Sequence, residues 1–345
     1  MDDLPFVALF TTWEEVLNAW QRLQQYKGRW ELSQEPYKLS KVNICPNFMT
    51  PSKFCTISLA SNEYDNVNFL TDCFTERARL AAKRFDQELS PSEYWSLHGA
   101  EMKKKNASAN QKQLRALLYA ATVEVMNFRL TVAVSVYDMF LPHHVFDPCA
   151  GHGDRAIAAM SRKYIESYEG CEPNVTSQKG IVNAIKVFGG LKHICVHPIP
   201  FEDYQFLSEA TCDLVFTSPP YYDVEIYCQD KTQSIMKFHT EKEWYQRFLL
   251  LTFLRCWQHV CPNGHMVISI NNVRDRRNGM MRFSSTEKLV KDLTLLCLHA
   301  KFLGVVAFGN KDQRMEPMFV WQKIPTIAPT CTYKQLQNHK RKRQK

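Results

Sequence analysis

The twelve cysteines of this 345-residue chain include no Cys-x-x-Cys pair, which excludes the spacing of a zinc ribbon or of a thioredoxin-like redox site. Several of them, such as Cys195, Cys212 and Cys297, fall within or beside apolar runs. They are expected to be buried free thiols, with no metal site. A Gly-Lys-Ser/Thr phosphate loop is absent, and no segment carries the three glycines of a dinucleotide fingerprint, which weakens ATP and nicotinamide nucleotides as ligands. The longest apolar run, Phe248 to Leu254, is far too short to span a bilayer. Met1-Asp2-Asp3-Leu4-Pro5 lacks the basic start and apolar stretch of a secretory signal. No membrane attachment and an intracellular location are therefore expected. From Lys334 onward there is no acid, while six basic residues occur there, so the net charge of +8 falls to +2 for the rest. The run Lys340-Arg341-Lys342-Arg343 reads as a nuclear import signal, as a non-specific attraction for polyphosphate, or as a plain solvated tail.

What is present is an ordinary globular composition, 45% apolar and 12% aromatic, enough for one large core and a smaller accessory region. From residue 143 onward, strand and helix patterns alternate as in a parallel sheet covered on both faces. Strands are expected over 143–147, 165–171, 193–197, 213–217, 265–271, 302–308 and 317–323, and helices over 155–163, 174–188, 242–260 and 285–299. The fold class is α/β, a seven-stranded, mostly parallel, doubly wound sheet. Residues 1–108 read as an amino-terminal α+β accessory region, 109–325 as the main domain entered by a helix over 111–140, and 326–345 as a disordered basic tail.

Two motifs carry chemistry. Val145-Phe-Asp-Pro-Cys-Ala-Gly-His-Gly-Asp-Arg155 is a short strand opening into a loop with glycines at 151 and 153, a turn that lets a ligand approach the backbone closely. Glu172 closes the next apparent strand, about 20 residues on, where an acid would meet a ribose. The second motif, Asp213-Leu-Val-Phe-Thr-Ser-Pro-Pro-Tyr-Tyr-Asp223, is an apolar strand running into Ser218-Pro219-Pro220-Tyr221. Two prolines fix φ and remove two donors, leaving carbonyls and the Ser218 hydroxyl as acceptors beside an aromatic face. That combination suits a planar heterocycle bearing an NH2 group.

In this order and spacing the motifs resemble the class I S-adenosylmethionine-dependent methyltransferases, and more narrowly the amino-methyltransferase branch with an (Asp/Asn/Ser)-Pro-Pro-(Tyr/Phe/Trp) motif. The resemblance covers roughly residues 120 to 325. It implies a seventh strand antiparallel to the sixth, and S-adenosyl-L-methionine as cofactor. It places Asp147, Cys149, Gly151 and Gly153 around the methionine end, Glu172 on the ribose, and Ser218, Pro219, Pro220 and Tyr221 on the target amine. Phe128, in Asn127-Phe128-Arg129 of the preceding helix, falls where the branch packs a segment against the methionine tail. Pro198 to Asp203 falls where relatives contact the adenine. A structural reading stands beside each assignment: Tyr221 as an aromatic plug, Asp147 as a capping aspartate, Glu172 as a surface acid and Phe128 as core.

Tyr222, Asp223, Glu225 and Tyr227 continue the amine loop, with Tyr222 and Asp223 as candidate substrate contacts, unless these are solvated loop residues. Arg274, Arg276 and Arg277, in the loop after the fifth strand, are expected at the pocket mouth facing phosphate, unless that loop is merely solvated. The segment between the two motifs holds only the expected sheet elements, so target recognition falls to residues 1–108, to a partner protein, or to neither. The expected substrate is a nucleic-acid base, cytosine-N4 or adenine-N6, with DNA preferred over RNA because the resembled Ser-Pro-Pro-Tyr form is familiar from DNA modification. A protein glutamine-amide methyltransferase and a non-catalytic nucleic-acid-binding subunit are the alternatives.

Overall fold

Short β-branched and aromatic runs pair into one sheet, and amphipathic segments between them cover both of its faces. The computed structural model describes residues 4–33, 53–57, 67–122, 124–190, 192–206, 211–274, 279–309 and 316–325. Arg276, Arg277 and the basic run Lys340–Arg343 lie outside them.

The described residues form a nine-stranded sheet from β1 (Trp30–Ser33), β2 (Lys53–Ile57), β3 (His144–Asp147), β4 (Ser167–Cys171), β5 (His193–His197), β6 (Cys212–Thr217), β7 (Val260–Ser269), β8 (Ala300–Phe308) and β9 (Glu316–Lys323). Its order is β1-β2-β8-β9-β7-β6-β3-β4-β5. Strands β7, β6, β3, β4 and β5 are mutually parallel, and β9 runs antiparallel to both β7 and β8. The sheet is thus the expected α/β arrangement with two further strands. Residues 30–57 supply them: β2 adds parallel to the outer edge of β8 and β1 adds antiparallel to β2, so the accessory region extends the sheet itself.

The longer helices are α1 (Trp13–Gln25), α2 (Phe69–Ala81), α3 (Pro91–Lys105), α4 (Gln111–Ala121), α5 (Leu130–Phe140), α6 (Asp154–Met160), α7 (Val175–Phe188), α8 (Leu251–His259) and α9 (Thr286–Leu296). Reciprocal capping boxes start α1, α3 and α4, through Thr12/Glu15, Ser90/Glu93 and Asn110/Gln113. In α1, Val16, Ala19 and Leu23 are buried at helical spacing and join the core on one face of the sheet together with residues of β2, α2, α5, α6 and α7. The other face is covered by the aromatic cluster of Trp244, Phe248, Phe253 and Phe283 with α8 and α9. Where α2 crosses α7, a Cβ at Gly180 would stand 2.4 Å from the Phe74 carbonyl oxygen. Only glycine permits that approach, which packs the amino-terminal segment directly onto the sheet layer.

Two expectations are corrected. The helix expected over 111–140 is two helices, α4 and α5, with an extended link between them. The link leaves the helix because its polar groups bond elsewhere: Asn127 Nδ2 donates to Asp72 (2.9 Å), Glu124 pairs with Arg79 (2.5 Å), and the Leu130 amide donates to Asn68 (3.1 Å). The described cysteines are free thiols, but Cys195 is exposed rather than buried, because it lies on β5, the edge strand. Among the described residues no helix is long and apolar enough to cross a membrane, and no group of His, Cys, Asp and Glu is placed to hold a metal ion.

Candidate ligand cleft at the carboxyl edge of the sheet

In a doubly wound sheet, ligands bind outside the carboxyl ends of the strands where the strand order reverses. Here the reversal is between β3 and β6. The loop after β3 carries Gly151 and Gly153, and the loop after β6 carries Ser218 to Tyr221, so the order of the sheet makes the two motifs neighbours. A cleft of about 610 Å³, including its open mouth, lies there, and Cys149, Gly151, His152, Glu172, Ser218 and Pro220 contribute to its walls.

The loop after β3 is held from outside. Gly151 and Gly153 take φ of 61° and 91°, values that favour glycine. The carbonyls between and around them are bonded by side chains: Ser177 Oγ donates to Gly151 O (2.5 Å), Thr75 Oγ1 to His152 O (3.0 Å) and Arg155 Nη2 to Cys149 O (2.6 Å). Thr75 belongs to α2, so the amino-terminal segment helps to build the loop. A side chain at Gly153 would strike Ile181, whereas at Gly151 the nearest atom would be 4.0 Å away. The backbone at Gly151 is therefore the part left open to a ligand.

Asp147 does not reach the cleft. It is fully buried beneath the loop, and its carboxylate accepts from Arg155 Nε (2.7 Å), the Tyr168 hydroxyl (2.7 Å) and the Cys149 amide (3.2 Å). The carboxylate is thus committed to the protein's own groups, and Asp147 braces the loop from beneath. Phe128 is likewise one layer away. It packs edge-on against Phe216 and Phe308, with the Arg155 guanidinium 5.2 Å from its ring centre, and it faces a different groove together with Asn127 and Arg129.

Glu172 does line the cleft. Its carboxylate accepts from the amides of Asn174 (2.7 Å) and Gly151, yet burial outweighs those bonds and, with nearby Asp147, pushes its pKa up to about 8. Beyond it, Pro200, Phe201 and Glu202 form the wall after β5, as the sequence suggests. The short helix Ser234–Lys237 contributes Ser234 to the wall, and its Lys237 pairs with Glu202 (3.5 Å).

In the amine loop, Ser218 and Pro220 face the cleft while Pro219 is buried. The Tyr221 ring lies nearly parallel to Phe283, at 5.9 Å and 13°, so Phe283 backs one face of it. Burial raises the Tyr221 pKa, the carboxylates of Glu316 and Glu225 add to the shift, and the Ser218 hydroxyl opposes it. Tyr222 turns away with φ of 53°, its hydroxyl donating to His239 O (2.7 Å) and its ring set against Trp244. Asp223 is engaged by Arg282, leaving only Oδ1 without a partner. Arg274 is exposed and donates to Gly279 O (3.1 Å) within its own hairpin.

Of the residues offered after the amine corner, Tyr227 lines the cleft, and residues that were not singled out line it too: His152, Asn174, Ser177, Thr232, Gln233, Ser234 and Phe248. Tyr227 belongs to the polar loop that follows Tyr221 in sequence, and its hydroxyl donates to Glu225 (2.6 Å).

No family model and no curated protein matches the chain. Among solved structures it is similar to a SAM-dependent O-methyltransferase from Thermotoga maritima, at 10% identity and a TM-score of 0.38, over 59% of this chain and 68% of that one. It is similar to TrmN from Thermus thermophilus at 17% and 0.38, over 57% and 49%. A methyltransferase from Pyrococcus furiosus aligns at 14% and 0.38, over 67% of this chain and all of that one.

Proposed function

We propose that the protein is an S-adenosyl-L-methionine-dependent methyltransferase acting on the exocyclic amine of a nucleic-acid base. The observation that carries this reading is the one cleft whose wall takes in Gly151, Glu172, Ser218 and Pro220, with Tyr221 next in the chain after Pro220. The cleft walls suit the cofactor: open backbone at Gly151, a buried acceptor at Glu172 for hydroxyls, and apolar Pro200 and Phe201 for a purine ring. Bound S-adenosylmethionine supplies a methyl group activated by its sulfonium.

The protein's own task is then placement and exclusion of water. An aromatic amine is a weak nucleophile because its lone pair is delocalised into the ring. The Ser218 hydroxyl and the Pro219 carbonyl accept its two protons, which favours the pyramidal, more nucleophilic nitrogen. Tyr221, backed by Phe283, stacks on the base. DNA is the preferred polymer, cytosine-N4 or adenine-N6 the target, and RNA the runner-up. We assign recognition of the polymer to the amino-terminal segment. Lys83–Arg84 pairs antiparallel with Glu225–Ile226 just after the amine loop, and Arg282 lies over Phe85, so this segment reaches the pocket rim. The Lys340–Arg343 run fits a nuclear address.

Incubation with methyl-labelled S-adenosylmethionine and, separately, DNA, RNA or cell protein tests the class: label is expected in DNA, and nucleoside analysis of the digest identifies the base. Label found only in protein would overturn the nucleic-acid assignment.

Glu172 gives the cofactor half a pH signature. Hydroxyls donate best to an ionised carboxylate, so below pH 8 binding must displace a proton. Affinity for S-adenosylhomocysteine is expected to rise with pH by up to about tenfold per unit and to level off above about pH 8. Glu172→Gln is expected to flatten the profile. Calorimetric titration between about pH 6 and 9 checks both, and a wild-type profile without slope would remove Glu172 from the ligand.

A further inference from the structure

His152 lines the cleft without a part in the proposed methyl transfer. Its side chain is only 8% exposed, and neither ring nitrogen has a hydrogen-bond partner, although it belongs to the cleft wall. Leaving a buried donor unmade costs more than a hydrogen bond normally contributes, so this imidazole is poised for a group that arrives with the ligand. Burial, and after it the guanidinium groups of Arg79 and Arg155, hold its pKa down at about 3. The ring is therefore neutral, with one N–H donor.

The order of the sheet says which part of the ligand comes there. Along the carboxyl edge the loops run β6, β3, β4, β5, which sets Ser218 first, then Cys149 to His152, then Glu172, then Pro200 to Glu202. A nucleoside with its hydroxyls on Glu172 and its base toward Phe201 fills the last two places. Whatever hangs from its 5′ carbon lies over the β3 loop. Resting on the cofactor assignment above, we propose that His152 donates its ring N–H to the carboxylate of the cofactor's amino-acid tail and so selects ligands that carry that carboxylate. Tyr227, whose ring stands 6.1 Å from the imidazole at a steep angle, limits how the ring can turn.

The test compares S-adenosylhomocysteine with S-adenosyl-3-thiopropylamine, which lacks only the carboxylate, by calorimetry on the full chain. The wild-type protein is expected to prefer S-adenosylhomocysteine. His152→Ala should weaken that ligand by about 10- to 100-fold, the usual worth of a hydrogen bond to a charged group, and leave the thiopropylamine unchanged. His152→Gln, which restores an N–H donor, should recover part of the loss. His152→Phe, which keeps the ring volume without nitrogens, gives the same comparison should the alanine protein not fold. Equal weakening of both ligands, or of neither, would overturn the role of His152. A wild-type protein that binds neither compound would overturn the cofactor assignment as well.

Discussion

Asp147→Ala is expected to destabilise the fold by about 3–5 kcal/mol, because it strands the buried Arg155 guanidinium without its counter-ion. Arg155 has a side-chain exposure of 4%, and Asp147 is the carboxylate that it bonds directly; it also reaches Cys149 O and the rings of Phe128 and Phe216, while Asp154 and Glu172 feel its charge from further off. The loss reaches further than one pair, since Tyr168 and the Cys149 amide also bond the same carboxylate. Denaturant unfolding of the single variant measures the cost. A second arm gives the mechanism. Asp147→Leu combined with Arg155→Met removes both charges and should recover much of the stability, as buried pairs replaced by apolar residues of similar size often do. A direct contact between Asp147 and a ligand predicts the opposite pattern, with unfolding unchanged and cofactor affinity reduced. Observing that pattern would return Asp147 to the cleft.

The Asp147 case illustrates which parts of the site could be read before the fold was known. Glycine at 151 and 153, the acid at 172 and the Ser-Pro-Pro-Tyr corner are local features whose use follows from backbone conformation and from their position at strand ends. All of them except Gly153 and the side chains of Pro219 and Tyr221 reach the cleft wall. Asp147 occupies an equally suggestive position, but its role was decided by Arg155 eight residues later and by Tyr168 on the next strand, partners that no local pattern identifies. Phe128 lies outside the cleft wall for a related reason. It was expected within one long helix, and the chain breaks that helix because Asn127 and Glu124 find Asp72 and Arg79 in α2. The alternation of strands and helices gave the doubly wound core, since each element there buries a face periodic in its own sequence. The two additional edge strands come from short segments that pair only because β8 offers an open edge. Gln233, Ser234 and Phe248 enter the cleft because the stretch after the amine loop folds back over it, with Trp244 Nε1 donating to Ser234 Oγ (3.0 Å).

Tyr221→Ala is the substitution expected to separate the two halves of the cleft. Stacking of a base on an aromatic ring is worth about 1–3 kcal/mol, which alone lowers kcat/KM by roughly 5- to 150-fold. Loss of the ring also frees the base to drift from the methyl donor, and small displacements cost further rate. Affinity for S-adenosylhomocysteine should stay within about twofold, because Glu172 and the β3 loop hold that ligand without Tyr221; the same titration reports that the altered protein is folded. Tyr221→Phe keeps the face that Phe283 supports and removes the hydroxyl near Ser218, so it should retain most of the activity. Single-turnover rates with saturating cofactor, on DNA and on RNA, distinguish these outcomes. An alanine variant as fast as the wild type would mean that Tyr221 merely closes the end of the sheet. The amine would then have to be held by Ser218 and Pro219 alone, and Phe283 would be core without a functional consequence.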